Sequence, residues 1–317
     1  MTHATDSFTS LHPTRRHFLR TGAAACASLA LARAESLAAY AAAKGVKFKL
    51  SAPDWSLQKE CKLDAVALSK EIGFPGVQIS IGHAPRGETI TSLPLSSPAL
   101  QKQYLDEAKK QGVAITSLCL EIMHVNGLKS DPLGEKWLAE CIPIAKALGV
   151  KVILVPFFGK WAIKEKAEQD RVADIMRNVA PQAEKLGVIL GLEDTISARE
   201  NVAIMERSKS SAVKTYYDVG NSSKEGYNVV EEIRWLGKDR ICEMHLKETP
   251  WEKYLGEGGI INFPAVIDAL ADIGFNQWAQ LETSCPSKNI AADFKRNKQF
   301  VDDLIGKRNR TGSAAKA

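Results

Sequence analysis

Short apolar segments alternate with amphipathic segments along most of this 317-residue chain, and this alternation limits the fold more than any other feature. The apolar segments have the length of buried strands and lie at 46–52, 76–82, 114–121, 151–158, 188–195, 213–221, 241–249 and 277–284. The amphipathic segments have a helical period and lie at 59–72, 97–111, 134–148, 165–186, 197–209, 228–237, 263–273 and 289–307. Strands that are each followed by a helix favour a parallel sheet covered by helices.

Glycine residues mark the points where the helical patterns end and the next strand begins. They are Gly73, Gly112, Gly149, Gly187, Gly237 and Gly274. Helices commonly end at a residue in the left-handed conformation, which glycine adopts without steric cost. The regular placement of these residues therefore supports the predicted helix ends.

Eight strand–helix units in about 270 residues match a single α/β domain, the (β/α)8 TIM barrel, in number and in size. An open doubly wound sheet is the alternative, but it needs a glycine-rich phosphate loop after its first strand. The sequence there is Ser51-Ala52-Pro53-Asp54-Trp55. No linker interrupts residues 45–308, so we expect one barrel domain over this range and a flexible tail at 309–317.

The first 34 residues resemble a twin-arginine export signal. Arg15 and Arg16 precede Phe18, and a run rich in Ala and Leu then ends in a small-x-small site at Ala34. The run of about 12 apolar residues is too short to cross roughly 30 Å of hydrocarbon. We expect cleavage between residues 34 and 44, export of the folded protein to the periplasm, and no membrane anchor after processing.

The charge and the cysteines of the expected mature chain limit its partners. Removal of residues 1–34 lowers the basic residues from 42 to 38 and the acidic residues from 37 to 36, which leaves a formal charge of +2. This balance offers no electrostatic support for binding nucleic acid. The cysteines are scattered, and five remain after residue 34, so we expect free thiols rather than a disulfide framework.

Acidic residues and a histidine stand at the ends of the last four predicted strands. In chain order they are Glu193, Asp218, His245 and Glu282. Barrel enzymes carry their active sites at the C-terminal ends of the strands, so these side chains converge. Carboxylates that lie close together repel one another unless a positive charge lies between them. We therefore predict that the four residues bind one divalent metal ion, and the ligand types do not select among Mn²⁺, Mg²⁺, Co²⁺ and Zn²⁺.

The motifs at these strand ends resemble the xylose-isomerase-like barrel superfamily of sugar phosphate isomerases and epimerases over residues 45–308. They are Glu-Asp-Thr, Asp-Val-Gly-Asn, His-x-Lys-Glu and Glu-Thr-Ser. The resemblance implies that Glu193, Asp218, His245 and Glu282 bind the metal, and that Glu193 and Glu282 also act as the acid/base pair. Ketose 3-epimerases of this superfamily often have His three residues after the strand-six Asp, where this chain has Asn221.

This ligand set predicts a reaction through an enediolate. A metal ion chelated by the carbonyl and the neighbouring hydroxyl of a ketose acidifies the adjacent C–H. Return of the proton on the opposite face gives epimerisation, return at the neighbouring carbon gives isomerisation, and loss of a β-hydroxyl gives dehydration. We expect a sugar isomerase or epimerase, with a dehydratase or lyase acting on a keto-sugar or keto-glycoside as the alternative. Because sugar phosphates are cytoplasmic, export favours free sugars, keto-sugars or glycosides as substrates.

Two further function classes are disfavoured by the sequence. An endonuclease of the abasic-site repair barrels would need a histidine-rich three-metal cluster, and only His83, His124 and His245 lie within the barrel range. A non-catalytic carbohydrate-binding subunit would not need intact Glu193 and Glu282. We expect a small-molecule sugar as the partner, and a homo-oligomer is left open.

Other polar and aromatic residues near the strand ends are candidates for contacts with the substrate. They are Trp55, His83, Glu121, His124, Asn221, Lys247 and Glu257. Each has an ordinary alternative, such as a salt bridge for Lys247 or core packing for Trp55. Glu257 lies in the glycine-rich segment 255–259, which fits a lid, a phosphate site or a plain turn.

The export prediction can be tested on the arginine pair. Replacement of Arg15 and Arg16 together by Lys should retain the protein in the cytoplasm, because the translocase recognises the two guanidinium groups. Fractionation of cells expressing the parent and the double variant measures this retention. Normal export of the double variant would contradict the twin-arginine route.

Overall fold

The computed structural model describes residues 45–82 and 90–314, with side chains described up to residue 310. Within these ranges, parallel strands close into one barrel, each pairs with the next in sequence, and β8 pairs with β1. The strands are β1 (Lys49–Pro53), β2 (Gly76–Ser80), β3 (Ala114–Cys119), β4 (Val152–Pro156), β5 (Ile189–Glu193), β6 (Val213–Asp218), β7 (Ile241–Leu246) and β8 (Trp278–Leu281). The predicted (β/α)8 TIM barrel is confirmed; seven strands lie inside the segments predicted for them, and β1 extends one residue further, to Pro53.

The described helices surround this barrel. They are α1 (Asp64–Ile72), α2 (Pro98–Gln111), α3 (Pro132–Ala147), α4 (Lys166–Leu186), α5 (Ala198–Ser208), α6 (Val219–Lys224), α7 (Val229–Arg240), α8 (Phe263–Ile273) and α9 (Ile290–Ala314). Short 3-10 helices lie at Pro94–Ser96, Glu121–His124 and Gly159–Trp161. Among the described residues, none of the helices has the length and apolar character that crossing a membrane requires.

Three helix boundaries differ from the prediction, and the first is the start of α1, which begins at Asp64, five residues later than predicted. Gly237 has φ 67° and ψ 172°, so it interrupts α7 without capping it, and a further turn continues to Arg240. α9 extends beyond residue 308, and Asn309 accepts a hydrogen bond from the Val46 backbone N–H at 2.7 Å. Residues 309–314 are therefore helical rather than an irregular tail. The predicted signal segment at 1–34 lies outside the described residues.

Local sequence determines where several helices begin. α5 starts with a capping box in which the Ser197 hydroxyl accepts the Glu200 N–H at 3.3 Å, and the Glu200 carboxylate accepts the Ser197 N–H at 2.9 Å. This arrangement satisfies two backbone donors that the helix leaves unpaired, and such caps contribute about 1 kcal/mol each. The position of α5 directly after β5 thus follows from the sequence itself.

The core has a layer between strands and helices and a smaller cluster inside the barrel. In the outer layer, Leu190 and Leu192 of β5 are fully buried with residues of the surrounding helices. The inner cluster consists of Cys119, Val152, Leu154, Tyr216 and Cys242. These side chains fill the interior of the barrel, so they form a floor beneath the groups at its C-terminal mouth. The cysteines of the described part are all unpaired, as predicted.

Gly191 of β5 lies where the interior has no room for a side chain. A Cβ at this position would lie 2.7 Å from Cys242 Sγ and 3.1 Å from Tyr216 Cβ. We expect Gly191→Ala to lower the free energy of unfolding by ~1–3 kcal/mol, the usual cost of overpacking a core. The penalty should shrink in a Cys242→Ala background, because that change removes the nearer atom. Denaturant unfolding of both single variants and the double variant tests this, and additive effects would contradict it.

Candidate active site

The four predicted ligands meet at the C-terminal mouth of the barrel. Glu193 and Asp218 are the last residues of β5 and β6, His245 is the penultimate residue of β7, and Glu282 directly follows β8. Asp218 and His245 are paired neighbours in the sheet register. One ligand atom from each of the four residues lies within 4.8 Å of all the others. We call this cluster the quartet.

His245 is at the centre of the quartet. Its Nδ1 lies 2.8 Å from Glu193 Oε1, 3.6 Å from Asp218 Oδ2 and 3.5 Å from Glu282 Oε2. Burial lowers the pKa of His245, but the negative charges of Glu193 and Glu282 outweigh it and raise the pKa to about 10. The carboxylates thus favour a positive charge at Nδ1, and either a proton or a metal ion supplies it.

The other ring nitrogen of His245 is held by a residue that the sequence patterns did not indicate. His245 Nε2 lies 2.9 Å from Gln78 Oε1 on β2. The Gln78 amide in turn donates to the hydroxyl of Tyr216 at 3.1 Å. Because an amide oxygen only accepts hydrogen bonds, Nε2 carries a proton, and Nδ1 is the ring nitrogen that faces the carboxylates of the quartet. A polar residue in the middle of an otherwise apolar strand was the signal that could have identified Gln78.

The carboxylates of the quartet have different surroundings. Asp218 Oδ1 accepts the backbone N–H groups of Gly220 and Asn221 at 2.7 and 2.9 Å, which caps α6. Lys247 Nζ lies 3.0 Å from Asp218 Oδ2 and also contacts Glu282. Burial raises the pKa of Asp218, but Lys247 and His245 outweigh this and hold it well below its usual range. The carboxylate of Asp218 is therefore ionised and faces the mouth.

The surroundings of Glu193 and Glu282 also differ from each other. Burial raises the pKa of Glu193 to about 7, because little solvent reaches its carboxylate. Glu282 Oε1 accepts a hydrogen bond of 2.9 Å from the indole N–H of Trp55. Glu193 can therefore gain or lose a proton near neutral pH. Glu282 is instead oriented by the indole of Trp55, which follows β1.

The donor atoms of the quartet suit a divalent ion. Asp218 Oδ2 and Glu282 Oε2 both lie beside Lys247 Nζ and within 3.6 Å of His245 Nδ1, so a cation placed among these atoms would meet oxygens of two carboxylates. Three carboxylate oxygens and one imidazole nitrogen form a ligand set that first-row divalent ions accept. The quartet could therefore bind a metal ion.

A cavity of about 260 Å³ opens above the quartet. Its walls include Trp55, Glu60, Cys119, Glu121, His124, Pro156, Phe158, Glu193, Asn221, Lys247 and Glu282. The structure thus brings together most of the residues predicted to contact a substrate. Phe158 and Glu60 were not predicted, because neither belongs to a polar motif at a strand end.

Three of the predicted substrate residues need separate description. Glu121 lines the cavity, but its carboxylate accepts the backbone N–H groups of Ile81 and Gly82 at 3.0 and 2.6 Å, so it also anchors the end of β2. Glu257 is not among the residues that line the cavity and pairs with Arg296 of α9 at 2.6 Å. The structure therefore places Glu257 in a surface ion pair rather than in the wall of this cavity. His83 lies outside the described residues.

Residues 66–304 match the family model described as xylose isomerase-like TIM barrel. The chain belongs to this family. A sequence relative, the 2-epi-5-epi-valiolone 7-phosphate 2-epimerase of Actinoplanes sp., is 27% identical over 190 residues, which are 59% of this chain and 67% of the relative.

Solved structures also resemble this member of the xylose isomerase-like family. The D-psicose 3-epimerase of Clostridium cellulolyticum H10, solved with D-tagatose, has a TM-score of 0.67 and 19% identity, and the match covers 81% of this chain and 99% of that one. The IolI protein, solved with a zinc atom, has a TM-score of 0.63 and 17% identity, with 82% and 99% of the two chains covered. At these identities the likeness shows the shared fold.

The quartet predicts a measurable metal content. We expect the protein purified without chelator to contain close to one divalent ion per chain by elemental analysis. Loss of a residue that only supports a metal ligand commonly lowers metal affinity 10–100-fold. Asp218→Asn and His245→Ala change predicted ligands themselves, so each should weaken metal affinity by more than about 100-fold.

Glu60→Gln is the matched control for these two variants, because Glu60 lines the same cavity without belonging to the quartet. Its metal content should equal that of the parent. Equal metal content in the parent and the His245→Ala variant would contradict binding by the quartet.

Proposed function

We propose that this protein is a divalent-metal-dependent sugar epimerase or isomerase that acts on a ketose or keto-sugar through an enediolate. The observation that carries the proposal is the presence of two glutamates, Glu193 and Glu282, that belong to the quartet and also line the cavity. They extend from β5 and β8, which are three strands apart in the closed barrel and so approach the mouth from different sides. The names of the sequence relative and of the D-psicose 3-epimerase support an epimerase.

The proposed reaction assigns a proton transfer to each glutamate. A divalent ion bound by the quartet would polarise a substrate carbonyl and stabilise the negative charge that develops on its oxygen. Glu193, whose pKa burial raises to about 7, can accept a proton from the carbon beside that carbonyl at neutral pH. Glu282, oriented by the Trp55 N–H, can deliver a proton from the other side. Delivery to the opposite face of the same carbon inverts it, and delivery to the neighbouring carbon isomerises the sugar.

Lys247 supports this assignment electrostatically. Its ammonium group lies beside Asp218 and Glu282. Burial lowers the pKa of Lys247, but the negative charges of these two carboxylates outweigh burial and raise the pKa above its usual value. The positive charge of Lys247 offsets the repulsion between these two carboxylates. Asn221 Oδ1 accepts from Lys247 Nζ at 3.2 Å, which fixes the position of the lysine in the cavity wall.

We also propose that the protein works in the periplasm. The support is the Arg15-Arg16 motif with its apolar run. A periplasmic enzyme would meet free sugars and glycosides more often than sugar phosphates.

The two glutamates can be tested separately. Gln keeps the size of Glu and one carbonyl oxygen but cannot accept a proton at neutral pH. Glu193→Gln and Glu282→Gln should each lower kcat by about 10²-fold or more, with a much smaller change in KM. If they act on opposite faces, one variant should still exchange the substrate proton with D₂O without inverting the carbon, and the other should do neither.

Glu257→Gln is the control for the same chemical change, because Glu257 pairs with Arg296 outside the cavity. The assay is deuterium uptake beside the carbonyl for a panel of ketoses and 3-keto-glycosides, with products identified by NMR. Loss of a β-hydroxyl would identify the dehydratase or lyase outcome of the same enediolate. Near-normal turnover of both quartet variants would show that the two-glutamate mechanism is wrong.

A further inference from the structure

A second cavity of about 410 Å³ adjoins the cavity above the quartet. Both cavities have Asn221 and Lys247 in their walls, so these residues form the boundary between them. The far side of the second cavity is formed by residues 248–252 of the loop after β7, including Trp251. We propose that this cavity binds an uncharged sugar ring attached to the sugar that reacts at the quartet, which makes glycosides the substrate class. The inference rests on the proposed function for the identity of the reacting ring.

Trp251 provides the surface that such a ring needs. Its side chain is 40% exposed although it is large and apolar, and it lines a concave site. Lys247 Nζ lies 5.4 Å from the centroid of its ring system. A sugar ring has an apolar face of C–H groups that packs on an indole face, while its hydroxyl groups remain available to polar neighbours.

The loop that carries Trp251 is held in place by the buried side chain of Glu248. Its carboxylate accepts the backbone N–H groups of Thr249 at 2.9 Å, Gly256 at 2.9 Å and Ile261 at 3.3 Å. Gly259 packs so closely that a Cβ there would lie 2.0 Å from this carboxylate. Because the loop is already ordered by these contacts, binding a ring against Trp251 requires little further ordering.

The balance of charges in the walls of the second cavity favours a neutral ligand. Two lysines, Lys224 and Lys247, are balanced in its walls by Glu248 and Glu252. Lys247 already contacts the quartet carboxylates. A phosphate group would therefore meet as many negative as positive charges, and a sugar ring does not carry this penalty.

The boundary between the cavities offers a hydrogen-bond donor. Asn221 Nδ2 is buried and donates no hydrogen bond, while the Oδ1 of the same amide accepts from Lys247. A buried donor without an acceptor is unfavourable, and a ligand oxygen that spans the two cavities would satisfy it. An oxygen that joins two sugar rings, one at the quartet and the other at Trp251, would pass the boundary that Asn221 and Lys247 form.

The test compares two exposed tryptophans in the full-length, metal-loaded protein. Trp235 of α7 is the matched control, because it is 39% exposed and also lies under a cation, Arg199, but lines neither of these two cavities. Calorimetric titration with glucose, cellobiose and maltose measures the preference for a second ring. We expect the parent to bind at least one disaccharide about tenfold more tightly than glucose, which corresponds to about 1.4 kcal/mol. Trp251→Ala should abolish this preference, whereas Trp251→Phe and Trp235→Ala should retain most of it.

Several outcomes would overturn the inference. They are equal affinity of the parent for glucose and both disaccharides, equal effects of Trp251→Ala and Trp235→Ala, and tighter binding of inorganic phosphate that Lys224→Ala removes. Deuterium exchange into a keto-monosaccharide distinguishes this failure from failure of the proposed function. Exchange without a disaccharide preference contradicts the second-ring site alone, and a disaccharide preference without exchange into any keto-sugar contradicts the enediolate chemistry alone.

Discussion

Mutual repulsion among three closely spaced carboxylates is the constraint on which the mouth of this barrel depends. Glu193, Asp218 and Glu282 are brought within a few ångströms by the closure of the strands, and they cannot all be ionised without nearby positive charge. His245 and Lys247 provide that charge in the described structure, and both have raised pKa values for this reason. A divalent ion would take over the same electrostatic role, with the His245 proton released as it binds.

The fold and the quartet could be predicted from the sequence, because both depend on local patterns that repeat in each strand–helix unit. Buried parallel strands are continuous apolar runs, and helix ends are marked by capping residues such as Ser197 and by glycine at the C-terminus. The position of the quartet required only the rule that barrel chemistry lies at the C-terminal strand ends. Strand closure then placed Glu193 and Glu282 in one site although they are distant in sequence.

Other features could not be read in this way because they depend on contacts between distant segments. Gln78 is one polar residue in a strand, and its role requires knowing that its side chain meets His245. Glu257 occupies a loop with the composition of a binding segment, yet Arg296 of α9 holds it at the surface. α6 is also invisible to periodicity, because it has only six residues and is stabilised by the Asp218 carboxylate that caps it.

The order of the strands around the barrel divides the mouth into two halves of different origin. The quartet comes entirely from β5 to β8, whereas Trp55, His124 and Phe158 on the facing wall come from segments that follow β1, β3 and β4. Changes in the segments that follow β3 and β4 can reshape the wall without replacing a member of the quartet, whereas Trp55 also orients Glu282. A lineage built on this scaffold can therefore change which molecules fit the mouth through its first half while it keeps the quartet through the second.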